Sequence, residues 1–425
     1  MRKTILLLLV SAMLLGLLGC SQAVSGQVLQ SDKPRDTSPA VNETDLTTMV
    51  DGNNAFAFNL YQVLRLKESN LFYSPYSISE ALAMTYAGAR GETEKDMAEA
   101  LNFMLPQDRL HPAFNSLDLQ LKQRGEGAKG KDDEGFRLHV VNAIWGQKDY
   151  NFLGEFLDVL AQNYGAGLRI LDFVNETEQS RLTINKWVSD QTEERIKDLV
   201  PQGAINQLTR LVLTNAIYFN AAWQYPFHED ATSNGLFHLL SNSDVTVPMM
   251  KQTESFRYTE GDDYQAVELY YDGQELSMVI LLPKAGQFKA FEERLDAEIV
   301  KTIINNLETR EVALTMPKFE YESSFGLKEA LKTLGMGVAF TANADLSGMN
   351  GKRDLFIQDV LHKAFVSVDE AGTEAAAATA VMVALTALPP EPVAVTIDRP
   401  FIFFIRDIPT GSIIFIGRVL NPASK

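Results

Sequence analysis

Glu370-Ala371-Gly372-Thr373-Glu374-Ala375-Ala376-Ala377-Ala378-Thr379-Ala380, running on through Val381-Met382-Val383-Ala384-Leu385-Thr386-Ala387-Leu388 to Pro389-Pro390-Glu391-Pro392, is the stretch whose reading decides the fold. It separates two segments that read as buried strands, 360–369 and 393–404. A linker of this length inside a compact domain needs a functional reason. Its first half is Gly, Ala and Thr, small enough for neighbouring backbone to come close. Its second half is apolar, and Pro389-Pro390 stops any regular element. Local propensity alone makes the alanine run a helix. The alternative is a segment with two fates, exposed as a loop or added to a sheet as a strand. Strand alternation then puts Thr373, Ala375, Ala377 and Thr379 on one face and Glu374 on the other. Only small side chains would need burial, and Gly372 supplies backbone freedom.

The rest of the chain bounds the answer. It has 425 residues, 46% of them hydrophobic, enough for a sizeable core and too many for disorder. A formal net charge of −17 argues against nucleic acid or a heparin-type polyanion as partner. The one cysteine, Cys20, excludes an internal disulfide framework. Arg2-Lys3 precede the apolar run 5–18, which is too short to span a bilayer and reads as a secretory signal. Residues 21–44 carry Ser, Gln, Pro and Asp without periodicity and read as a flexible tether.

Helical patterns follow at 55–67, at 98–101 behind a cap formed by Thr93 and Asp96, and at 109–124, 151–164, 177–195, 288–307 and 327–334. Pro75 suits the start of a further helix behind Ser74. Strand patterns fall at 71–73, 136–145, 168–174, 312–321, 401–405 and 413–420. Residues 211–219 form a nearly continuous apolar run, the mark of a strand covered on both faces. Asp272-Gly273 joins 266–271 and 276–282 as a hairpin. Mixed strands and helices without a βαβ rhythm indicate α+β, and no repeat or composition shift divides the chain, so it reads as one domain.

Enzymatic chemistry finds no support. HExxH, Walker A and GxSxG patterns are absent, and the five histidines lack metal-ligand spacing. Gly125-Glu126-Gly127-Ala128-Lys129-Gly130 matches GxGxxG only formally. It follows a helix and leads into Lys131-Asp132-Asp133-Glu134 instead of opening a helix, so it reads as a solvated loop. No cofactor or metal is implied.

Several separated motifs point one way. The segment 370–392 is similar to the hinge and reactive-centre loop of the serpins. Asn70-Leu71-Phe72-Tyr73-Ser74-Pro75-Tyr76-Ser77-Ile78-Ser79, Thr214-Asn215-Ala216-Ile217-Tyr218-Phe219, Trp223 with Phe227, His362-Lys363-Ala364, Arg399-Pro400-Phe401 and Gly417-Arg418-Val419-Leu420-Asn421-Pro422 continue the resemblance in family order from about residue 45 to the end. It implies a serpin domain over 45–425, with a large central mixed β-sheet, two further sheets, about eight or nine helices and an exposed reactive-centre loop at 370–392. It also implies a monomeric suicide-substrate inhibitor of proteases, not an enzyme. Ser74, Ser77, Asn215 and His362 would form the shutter, the polar cluster where the central sheet parts. Trp223 would mark the breach at its upper end. Glu370 and Lys318 would form an exposed ion pair there, and Glu370, Gly372, Thr373, Glu374, Ala375, Ala376, Ala377, Ala378 and Thr379 the hinge. Each shutter residue would otherwise read as an ordinary satisfied core group.

Counting from Glu370 by the family's usual spacing puts the reactive bond at Thr386–Ala387, flanked by Val383, Ala384, Leu385 and Leu388, with Leu385 or Val383 as bait if the register slips. No Lys or Arg occurs from Ala364 to Asp398, which makes a trypsin-like target unsuitable. Elastase-like, subtilisin-like or papain-like proteases fit the small and apolar flank. Leu17-Leu18-Gly19-Cys20 resembles a bacterial lipoprotein box. It implies a signal peptide at 1–19 and a lipidated Cys20 holding an exported protein on the outer face of a prokaryotic membrane, periplasmic or at the cell surface. Two rival functions remain: a non-inhibitory binding protein on the same fold, and an extracytoplasmic solute-binding lipoprotein.

Overall fold

The structure is a computed structural model that describes residues 26–126, 128, 137–373 and 391–424. In chain order, β1 (Gln27–Leu29) precedes α1 (Glu43–Leu64), which opens with the Asn42 side chain accepting from the Asp45 N–H. β2 (Leu71–Tyr73) runs into α2 (Pro75–Tyr86), where Ser74 is the cap and Pro75 presets the first turn. Next come α3 (Gly91–Leu101), α4 (Gln107–Lys122), β3 (Arg137–Gln147), α5 (Gly154–Val159), β4 (Leu168–Leu171), α6 (Thr177–Gln191) and β5 (Leu211–Ala222). β6 (Ser233–His238) and β7 (Asp244–Glu260) form one hairpin, and β8 (Tyr264–Tyr270) and β9 (Leu276–Pro283) another. After α7 (Phe288–Arg294), α8 (Ala297–Asn305), β10 (Glu308–Pro317), β11 (Phe319–Gly326), α9 (Lys328–Thr333) and α10 (Ser347–Asn350), the chain ends in β12 (Asp359–Val368), β13 (Gly372–Thr373), β14 (Val393–Thr396), β15 (Phe401–Asp407) and β16 (Ile413–Val419).

The central sheet is seven-stranded in the order β1-β4-β3-β5-β13-β12-β11, and it mixes parallel and antiparallel neighbours. A second set of strands, β14-β10-β7-β8-β9-β15-β16-β2 with β6 on β7, is continuous because the 17-residue β7 serves both of its regions. The two further sheets expected are therefore joined along one strand. β9, β15 and β16 are buried along their whole length, which is why the sequence there is almost uninterrupted Ile, Leu, Val and Phe. The α+β assignment holds, with ten α-helices among the described residues.

Several local expectations are corrected. The stretch read as a tether is folded onto the domain from Gly26 onward. β1 pairs with β4, and Arg35 donates to Asn115 Oδ1 at 2.8 Å and Asp118 Oδ2 at 2.5 Å. α1 begins at Glu43, well before the expected 55. Thr93 lies inside α3 and caps nothing, its hydroxyl accepting the Asp345 N–H instead. The helix expected over 288–307 breaks where Asp296 caps α8 by accepting the Ile299 N–H. The strand expected over 312–321 is two strands in different sheets, with Lys318 at the crossing. The strand expected over 393–404 divides at Pro400, which cannot donate to a ladder. β6 and β7 went unread because their burial alternates irregularly.

Candidate functional site

The site is the seam between β5 and β12. The two strands pair in parallel from Asp359↔Val212 to Ala364↔Ile217. Four residues further up, Thr373 stands between them, opposite Val368 on one side and Ala221 on the other, and Gly372 lies opposite Ala222. Strands that are neighbours at Ala364 and Ile217 are thus one strand apart at Val368 and Ala221. β13 runs antiparallel to both. Gly372 is required by close approach: a Cβ there would sit 2.2 Å from the Ala221 carbonyl oxygen.

Aromatic stacking and backbone bonds hold the top of the seam. Trp223 lies against Tyr271 with centroids 4.7 Å apart and planes inclined 11°. Its Nε1–H donates to the Asp369 carbonyl at 3.0 Å, and its N–H to the Ala371 carbonyl at 2.9 Å. The Phe227 N–H reaches the Glu370 carbonyl at 2.7 Å. Tyr271 and Thr373 share a hydroxyl bond of 2.9 Å, and Thr373 is buried. Lys318 Nζ meets Glu370 Oε2 at 2.5 Å, and Thr232 donates to Glu370 Oε1 at 2.7 Å. The resemblance implies an exposed pair. The structure half-buries it, with the Glu370 side chain 10% and the Lys318 side chain 36% accessible.

Lower down, register aligns three polar residues in one row, Asn142 of β3 opposite Asn215 of β5, and Asn215 opposite His362 of β12. His362 Nε2 lies 3.3 Å from the Ser74 N–H and must accept it, which leaves Nδ1–H to donate to Asn215 Oδ1. Burial holds His362 down to about 3, so it is neutral, as this tautomer requires. Asn215 Nδ2 donates to Ser77 Oγ and to Asn142 Oδ1. Asn142 Nδ2 donates to Glu80 Oε2 at 2.7 Å and to the Ser77 carbonyl at 3.2 Å.

The structure brings Ser74, Ser77, Asn215 and His362 together in one network, and Trp223, Lys318, Glu370, Gly372 and Thr373 in another. Glu374–Thr379, Val383–Leu388 with the Thr386–Ala387 bond, and Cys20 lie outside the described residues. Sequence reading missed Asn142, Glu80, Thr232 and Tyr271. Asn142 had a signal, a polar interruption in the apolar run Val140-Val141-Asn142-Ala143-Ile144, whereas Glu80, beside Ser79, had only its charge directly before Ala81-Leu82-Ala83-Met84. Thr232 and Tyr271 had none, because their partners are distant in sequence.

Residues 51–422 match the family Serpin (serine protease inhibitor). The chain is 40% identical to an uncharacterized serpin-like protein of Thermococcus kodakarensis, covering 99% of each, and 41% identical to the leukocyte elastase inhibitor of Homo sapiens, covering 87% of this chain and 98% of that one. The thermophilic serpin tengpin in its native state is similar with a TM-score of 0.81 at 28% identity, covering 94% of this chain and all of that one. Human thyroxine-binding globulin complexed with thyroxine is similar with a TM-score of 0.79 at 30% identity, covering 89% of this chain and all of that one. The chain belongs to the serpin family.

Proposed function

We propose that this serpin is a suicide-substrate inhibitor of serine proteases with elastase-like or subtilisin-like preference, extending to papain-like cysteine proteases. One observation carries the reading: β13 already occupies the top of the seam, antiparallel to both neighbours. Continuing it downward keeps Thr373, Ala375, Ala377 and Thr379 on the buried face. Each step exchanges one β5–β12 pairing for two new ones, so insertion gains ladder bonds as it proceeds. The intact form is metastable on this account.

The protease hydroxyl attacks the Thr386 carbonyl carbon, an ester forms, and the Ala387 nitrogen leaves as the new amine terminus. Insertion of the released strand then drags the acylated protease away and distorts its site before water can cleave the ester. The chain itself turns over no substrate. The leukocyte elastase inhibitor is named for an elastase, which agrees with the small, uncharged flank Val383-Ala384-Leu385-Thr386. A purely binding role on the same fold is disfavoured by the hinge, which has no proline and only Glu374 charged between Thr373 and Ala380.

We further propose that the mature protein begins at a lipid-bearing Cys20 and is displayed outside a prokaryotic membrane. The basic start, the apolar run and Leu17-Leu18-Gly19-Cys20 support that reading. Cys20→Ala should then release the protein from the membrane fraction.

The test of inhibition is incubation with elastase, subtilisin, papain and trypsin, followed by denaturing gels and mass spectrometry of the released peptide. A boil-stable adduct with elastase or subtilisin and a peptide beginning at Ala387 are expected. Plain cleavage by all four, without adduct, refutes the reading.

A further inference from the structure

Helix α2 grips both sides of the seam from beneath. The Ser74 N–H holds β12 through His362. Ser77 and Glu80 hold β5 and β3 through Asn215 and Asn142. β5 therefore cannot part from β12 until one of these grips fails. Glu80 is the buried end of the polar row, and its carboxyl is crowded. Asp118 and Lys122 face it from α4, Arg35 from the N-terminal segment, Asn142 from β3, Tyr164 from the turn before β4, and Tyr76 from its own helix. Lys122 and Arg35 are both already bonded to Asp118.

We propose that Glu80 is a proton-controlled latch on the central sheet: the closed sheet buries it beside Asp118 as the neutral acid, and the cost of holding the ion there outweighs its stronger bond from Asn142, so ionisation favours the parted sheet. Burial, with Asp118 beside it, pushes the Glu80 carboxyl up to about 8. The proton therefore stays on at neutral pH. Parting the sheet admits water to the row, and the carboxyl there returns toward its ordinary value of 4.5. The closed sheet then holds the proton more tightly than the parted one. Closure is favoured at low pH, and opening rises with pH by up to about tenfold per unit until it levels off above about 8. The consequence for inhibition, faster loop entry in mild alkali, rests on the reading above; the opening itself does not.

The test is amide hydrogen exchange of residues 212–217 and 359–364 between pH 6 and 9, each rate divided by that of the same sequence in an unstructured peptide, alongside carbon-13 titration of the Glu80 carboxyl. Seam opening in the natural chain should rise at least tenfold from pH 6 to 8 and then flatten. Glu80→Gln should show no such rise, and Asp118→Asn should move the flattening point to lower pH. The carboxyl resonance missing from Glu80→Gln should titrate well above the ordinary carboxylate range. Equal pH dependence in the natural chain and Glu80→Gln overturns the latch, as does a Glu80 resonance titrating near 4.5. If Glu80→Gln fails to fold, the carbon-13 titration and Asp118→Asn still decide. A chain that inhibits no protease but shows these shifts loses only the proposed function.

Discussion

Lys318 and Glu370 meet at 2.5 Å, and that bond ties the crossing point between the two sheets to the start of the hinge. Lys318 is the single residue between β10 and β11, while Glu370 lies two residues before Gly372 of β13. Any downward travel of the hinge has to carry Glu370 away from Lys318 and from Thr232. On the proposed insertion, the pair restrains its first step, placed where the seam is already open.

Lys318→Ala should therefore act more on rate than on stability. With Lys318 a third exposed, the pair contributes about 0–1 kcal/mol, so the urea midpoint should move little. Loss of the native form on prolonged incubation should be several-fold faster. Burial alone would raise the Glu370 carboxyl, but the Lys318 and Thr232 bonds outweigh it and hold it below its ordinary value of 4.5. A depressed carboxylate stabilises above that ordinary value and loses the contribution as pH falls through its folded value. The difference between Lys318→Ala and the natural chain should thus vanish in acid. A difference that persists there would mean that Lys318 acts through packing.

Gly372 and Thr373 report on β13 directly. Gly372→Ala forces a Cβ into the Ala221 carbonyl, so it should expel β13 from the seam and expose Trp223 to quenchers. Thr373→Arg puts a cation in a buried position beside Tyr271. Its insertion should slow enough for deacylation to win, turning inhibitor into substrate. The stoichiometry of inhibition measures this, and an undiminished covalent complex with Thr373→Arg would count against insertion.

How legible the site was in the sequence depended on what each residue had to do. Ser74, Ser77, Asn215, His362 and Trp223 sit in motifs whose neighbours fix their place, so a chain of resemblances found them. Asn142 joins the row only because β3 pairs with β5 in one particular register, Asn142 opposite Asn215, and register is not written locally. Arg35 was lost for the opposite reason. A polar, aperiodic stretch looks like linker, yet its guanidinium reaches Asn115 and Asp118 some eighty residues away. Lys318 was placed inside one strand because the apolar pattern runs on across it, although the chain there changes sheets.

Trp223→Phe separates ring stacking from hydrogen bonding at the breach. The phenyl ring can still pack on Tyr271, but the Asp369 carbonyl loses its indole donor. The cost should be about 0.5–1.5 kcal/mol, that of one hydrogen bond lost. Trp223→Ala should cost more and let β13 detach. Comparable urea midpoints for the two variants would show that stacking contributes nothing.

His362 gives the acid limb of stability. Its ring is held down to about 3 by burial against an ordinary value of 6.5, so the folded chain binds fewer protons than the unfolded one between those limits. The stability it contributes is complete above pH 6.5 and is lost as pH falls toward 3, at up to about 1.4 kcal/mol per unit. Glu80 works in the opposite direction across part of that range, so the pH profile of the natural chain alone cannot isolate either group. The comparison with His362→Gln can. That variant should be the less stable at pH 7.5, because Asn215 and the Ser74 N–H lose their ring partner. At pH 5 the gap should narrow by about 2 kcal/mol, since only the natural chain pays to keep an imidazole uncharged. In the double variant with Glu80→Gln the His362 effect should survive unchanged if the two titrate independently. A gap constant from pH 7.5 to 5 would mean that His362 takes up its proton in the folded state, and the neutral tautomer assigned to the row would be wrong.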